Sequence, residues 1–152
     1  MDPRTKEHTR AEWRDLGFFY DRNDDAKEWL LVGSRAGLLR FSELLRAYVA
    51  NPANDMKSEH EHYGPYMYLE VMTWPEAGLD EHSIHGPLDS LERLAGLVDL
   101  KVASLKPGET VRLRDEFAPR TAYTLVLQLQ ADGFDPASAD AGLHEGAGEQ
   151  GA

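Results

Sequence analysis

The stretch SEHEHYGPYMYLEVMTW, residues 58–74, decides how the rest of the chain is arranged. From Tyr66 to Trp74 it alternates with period two, placing Met67, Leu69 and Val71 on one side and Tyr66, Tyr68 and Glu70 on the other. That spacing predicts a strand whose aliphatic face is buried. Gly64 and Pro65 interrupt the chain just before it, so the acidic EHEH step reads as a polar lead-in to the strand proper.

Such a strand needs partners and a helical cover, and both flanks offer them. Upstream, LGFFYDRNDDAKEWLLVGS from Leu16 reads as two short strands joined by a turn at Arg22 to Asp25, where Asn and Asp accept turn angles. Ser34 then caps a helix in which Leu38, Phe41, Leu44, Leu45 and Tyr48 recur at helical spacing until Asn51 and Pro52 stop it. Downstream, beyond the turn PEAGLDE, HSIHGP reads as a short strand. A second helix follows, with Leu88, Leu91, Leu94, Leu97, Val98 and Val102 as its apolar positions and Lys106, Pro107 and Gly108 as its stop. In His85-Gly86-Pro87, Gly86 permits a tight strand exit, Pro87 suits the first helical turn, and Asp89 faces that helix's positive end. ETVRLRDEF and AYTLVLQLQ, linked by FAPRTA, make a closing hairpin with Val111, Leu113, Leu125, Leu127 and Leu129 inward.

The expected architecture is α+β, in the order ββαββαββ, with a mainly antiparallel sheet and two helices packed on one face. An internal duplication fits this order. In one constant register Leu38, Arg40, Phe41, Leu44 and Leu45 fall against Leu91, Arg93, Leu94, Leu97 and Val98, while Val32-Gly33-Ser34 meets Ile84-His85-Gly86 after a one-residue gap. Helical periodicity alone would produce part of that match. A single domain is expected over residues 16–134. Residues 1–15 form an N-terminal extension, read as a short helix capped by Thr9 and Glu12 and anchored by Trp13, and residues 135–152 an acidic, disordered tail.

Composition narrows the function. The chain has 152 residues and no cysteine, which excludes a disulfide scaffold and thiolate zinc sites and suits a reducing compartment, so a cytoplasmic protein is expected. Its apolar runs are too short to span a bilayer. A formal net charge of −11, from 27 acidic against 16 basic residues, argues against nucleic acid or an anionic membrane as partner and favours a basic protein. The acid is concentrated: between Asp55 and Glu92 the only Lys or Arg is Lys57.

Three chemistries compete for the quoted stretch. As a metal site, His60 and His62 on an extended chain point to one side, with His82, His85 or Glu70 as a third ligand; the alternative is a solvated or hydrogen-bonded strand, and no metal or cofactor is expected. As an acid/base site, the histidines have glutamates beside them, but the chain carries neither a cysteine nucleophile, a G-x-S-x-G elbow nor a phosphate loop, and no catalytic residue is assigned. As a binding surface, Tyr63, Tyr66, Tyr68 and Trp74 are typical interface anchors when a sheet face is left open.

VGSRAGLLRFSELLRAYVANP followed by EHEHYGPYMYLEV resembles the small bacterial immunity-protein domains of polymorphic toxin systems, over about residues 29–86. In one such family a strand leads into a Leu-rich helix and then into an acidic His-x-His strand; Tyr63-Gly64-Pro65 departs from that pattern. The resemblance implies a non-catalytic protein that neutralises a partner toxin, here a basic one. The expected contact residues are Glu59, His60, Glu61, His62, Tyr63, Tyr66, Tyr68, Glu70 and Trp74. A metal- or small-molecule-binding protein and a homodimer joined through its aromatic face remain the alternatives.

Overall fold

The computed structural model describes residues Met1–His144. In chain order they form helix α1 (Pro3–Leu16), strands β1 (Phe19–Asn23) and β2 (Glu28–Gly33), helix α2 (Arg35–Ala50), strands β3 (His60–Tyr63), β4 (Leu69–Thr73), β5 (Gly78–Leu79) and β6 (Ile84–Gly86), helix α3 (Leu88–Ser104), and strands β7 (Thr110–Leu113) and β8 (Thr124–Leu129). The α+β class is as the sequence anticipates. The pairing is mainly antiparallel, in four of six strand pairs, but the single sheet, the two-helix count and the order ββαββαββ do not hold: there are three helices, four strands lie between α2 and α3, and the strands form two mixed sheets ordered β1-β2-β8-β7 and β3-β4-β6-β5.

Burial explains which strands are central. EWLLVG and TLVLQL are near-continuous apolar runs, as strands covered on both faces require, and they pair in parallel from Glu28↔Thr124 to Gly33↔Leu129. The polar strands HEHY of β3 and TVRL of β7 sit at edges, where one side of the ladder meets water. β4 and β6 pair in parallel in the second sheet, and hairpins flank both parallel pairs.

The topology repeats. Each half of the chain is a hairpin, a helix and a second hairpin, and the first hairpin of one half pairs with the second hairpin of the other. Gly33 and Gly86 close β2 and β6, and α2 and α3 start two residues later in both halves, so the one-residue gap expected from the sequence is absent. The two helices pack on each other. Leu38, Phe41 and Leu45 of α2 and Leu91, Leu94 and Val98 of α3 are fully buried, each contributing about 1.5–3 kcal/mol relative to exposure. Asp99 of α3 ties them at the rim by accepting from Ser42 Oγ at 2.5 Å and pairing with Arg46 at 2.7 Å.

Helix α1 begins earlier than the expected capping box. Asp2 caps it, accepting from the Thr5 N–H at 2.8 Å with Pro3 at the first position, while Thr9 and Glu12 lie inside the helix. The segment from Asp135, expected to begin a disordered tail, instead folds back on α1 as far as His144. Two 3-10 turns, Pro136–Ala139 and Ala141–Leu143, are capped by Asp135 and Asp140. Arg14 pairs with Asp135 at 3.0 Å, Arg10 donates to the Leu143 carbonyl, and Ala137 and Leu143 are buried. Residues 145–152, the rest of the expected tail, lie outside the described residues.

Candidate functional site: the β3–β4 hairpin and its aromatic cleft

EHEH is not a lead-in: His60–Tyr63 is itself strand β3, paired antiparallel with β4 so that His62 faces Glu70 and His60 faces Met72. Residues opposite one another share a face, so His60, His62, Glu70 and Met72 line the outer side, while Leu69, Val71 and Thr73 go into the core. His85, opposite Met72 on β6, belongs to the same outer row.

The strand expected from Tyr66 starts only at Leu69. Gly64 (φ 73°), Tyr66 (φ 65°) and Met67 (φ 56°) all lie in the left-handed region and turn the chain through a 3-10 segment, Pro65–Met67. Gly64 is favoured by its φ, and a Cβ there would also press on Leu16 Cδ2 at 2.7 Å. Met67, assigned to the aliphatic inner face, is instead exposed, and Tyr66 and Tyr68 leave the Glu70 row for the mouth of a cleft.

That cleft, of about 700 Å³, is walled by Trp13, Phe19, Tyr20, Tyr66 and Tyr68, with Asp140 among them. Trp13 is 1% exposed and its ring centroid lies 4.9 Å from Phe19, 5.1 Å from Tyr20 and 6.3 Å from Tyr66. Tyr66 and Tyr68 stack at 5.9 Å. Asp140 is buried, and the three hydrogen bonds it accepts come from neutral donors: Trp13 Nε1–H at 2.8 Å, Tyr66 O–H at 2.7 Å and the Gly142 N–H at 2.9 Å. Burial, and then the bond and charge of Asp140, push the Tyr66 phenol well above its ordinary range, so it stays a proton donor. Burial also raises Tyr20, whose hydroxyl donates to the Pro65 carbonyl and accepts from the Tyr68 N–H at 3.1 Å, tying the turn to β1.

The histidines are held separately. His60 Nδ1 lies 2.9 Å from the Ser58 carbonyl and His62 Nδ1 2.9 Å from the Met67 carbonyl, with His62 Nε2 3.3 Å from Glu70 Oε1. His60, His62 and Glu70 bring their ligand atoms within 4.8 Å of one another. His85 stays out of that group: it is half-buried, bonded to Ser83 Oγ at 3.0 Å, and burial lowers its pKa against the opposing influence of Asp80 and Ser83.

The remaining expected contact residues are dispersed. Glu59 and Glu61 are exposed; Glu61 accepts from the half-buried Tyr63, whose phenol burial and then the Glu61 charge push upward. Trp74 is half-buried, with Lys57 Nζ 4.7 Å over its ring. Sequence reasoning missed Tyr20 and Asp140 and used Trp13 only as an anchor. A tryptophan in an otherwise polar helix was the one available signal, since the Asp140 contact crosses nearly the whole chain.

An aromatic cleft whose Tyr66 and Tyr20 hydroxyls are already committed to Asp140 and the Pro65 carbonyl suits binding: it presents aromatic faces held in fixed positions to an incoming group. Among the described residues, no helix is long and apolar enough to cross a membrane. Comparison with protein-family models, with curated proteins and with solved structures gives no match.

Proposed function

We propose that this chain is a non-catalytic protein-binding module of the immunity type, acting in the cytoplasm, which neutralises a partner toxin by occluding its basic working surface. The contact face is centred on the Tyr66–Tyr68 turn and extends along the β3–β4 hairpin through Glu59, Glu61 and Glu70.

The turn carries the reading. Tyr66, Met67 and Tyr68 are 42%, 60% and 67% exposed, three large side chains in a row presented to solvent. Tyr66 and Met67 keep left-handed backbone angles at a cost of the order of 1–3 kcal/mol each. Met67 recovers little of that by packing, which fits a surface shaped for something outside the chain. Exposed tyrosines beside an aromatic cleft are typical binding anchors, and the acid between Asp55 and Glu92 complements a basic partner.

Co-expression tests this. The chain is expected to restore growth to cells producing the toxin encoded beside its gene, and Tyr68→Ala combined with Glu61→Lys should weaken that rescue without lowering the melting temperature, because both positions are exposed. A wild-type chain that neither rescues growth nor binds the purified toxin would sink the proposal.

A further inference from the structure

We infer that His60, His62 and Glu70 form a binding site for one divalent transition-metal ion of the zinc type. The inference goes beyond the protein-binding reading and does not depend on it.

The argument starts from lone pairs. A backbone carbonyl can only accept, so the 2.9 Å contacts from Nδ1 of His60 to Ser58 and from Nδ1 of His62 to Met67 place a hydrogen on each Nδ1. A neutral ring then offers its free lone pair at Nε2. His62 Nε2 faces Glu70 Oε1 at 3.3 Å. Two electron-rich atoms at that distance repel unless a proton or a metal ion sits between them.

The geometry fits the metal. Ligands about 2.0 Å from a tetrahedral zinc ion stand roughly 3.3 Å apart, the separation already present between His62 and Glu70. The three ligand atoms already lie within 4.8 Å of one another, and the His60 and His62 rings sit 5.3 Å apart at 88°, side by side on the outer face of the hairpin. The strands supply the rigidity: His60 and His62 are two apart on β3, and Glu70 is directly opposite His62 on β4. Carbonyl partners on Nδ1 are what metal-ligating histidines characteristically have, because they fix the tautomer and the ring plane. Imidazole with a single carboxylate selects zinc, nickel or copper over magnesium or calcium. Three protein ligands on an exposed face leave a fourth position for water or for a side chain of a partner.

The test uses the full, tag-free chain after chelator treatment, titrated with zinc by calorimetry and with cobalt by visible absorption, and with magnesium as control. We expect one zinc per chain, a tetrahedral cobalt spectrum, no response to magnesium, and a melting temperature that zinc raises. Glu70→Gln, which keeps the side chain's shape, should weaken zinc binding at least about tenfold, His62→Ala should abolish it, and His85→Gln should leave it unchanged. No zinc binding by the wild type, meaning that only a proton bridges His62 and Glu70, would overturn the inference. So would zinc bound equally well by the Glu70→Gln and His62→Ala chains.

Discussion

His85 sits in the same outer row as His60 and Met72 yet behaves differently, because it is half-buried and bonded to Ser83 Oγ at 3.0 Å. Burial lowers its pKa below the ordinary imidazole value of about 6.5, with Asp80, Ser83 and Glu70 acting in the opposite direction. The unfolded chain therefore takes up a proton at a higher pH than the folded chain does. Stability is full above about pH 6.5 and falls as the pH drops from there towards the folded-state value. Chemical denaturation across this range should show that fall in the wild type and a shallower one in His85→Gln. The residue scale is also where sequence reading divided most sharply. Leu69 and Val71 were legible from alternation, whereas Met67, at an equivalent position, is exposed because left-handed angles at Tyr66 and Met67 move the strand's start. Nothing in the letters YM announces such angles. The pairing of His62 with Glu70 needed a register across a hairpin that the sequence does not print.

Among the elements, α1 and α2 meet through glycines. A Cβ on Gly37, in the first turn of α2, would lie 2.3 Å from the carbonyl oxygen of Gly17, which ends α1 with φ 95°. Backbone on both sides cannot yield as a side chain would, so Gly37→Ala should destabilise the protein by about 1–3 kcal/mol, read as a lower denaturation midpoint. Gly96 in α3 is the control: it has open space around it, and Gly96→Ala should stabilise by about 0.4–1 kcal/mol. Helices α2 and α3 were readable because a 3.6-residue period and a Pro or Gly stop are local signals; Ser34 also caps α2 through the Gly37 N–H, whereas Pro87 at the start of α3 offers no side-chain cap. β3 and β5 were not. Four polar residues and two residues respectively carry no periodicity, and they become strands only because β4 and β6 offer free edges.

For the molecule as a whole, charge and topology give separate expectations. With a net charge of −11, association with a basic toxin should be fast at low salt and slow steeply as ionic strength rises, and stopped-flow rates should show Glu59→Lys with Glu61→Lys lowering the on-rate more than they raise the off-rate. A rate indifferent to salt would remove steering from the account. Class and hairpins could be read from the chain because they are short-range. The division into two sheets could not, because it depends on which distant hairpins meet. That division bears on how the protein is made. Glu28 pairs with Thr124, so a chain leaving the ribosome displays the apolar strand WLLVG with one edge unclaimed until β8 has emerged. Until then that open apolar edge is a template for wrong pairing, and a chain stopped before β8 keeps it open.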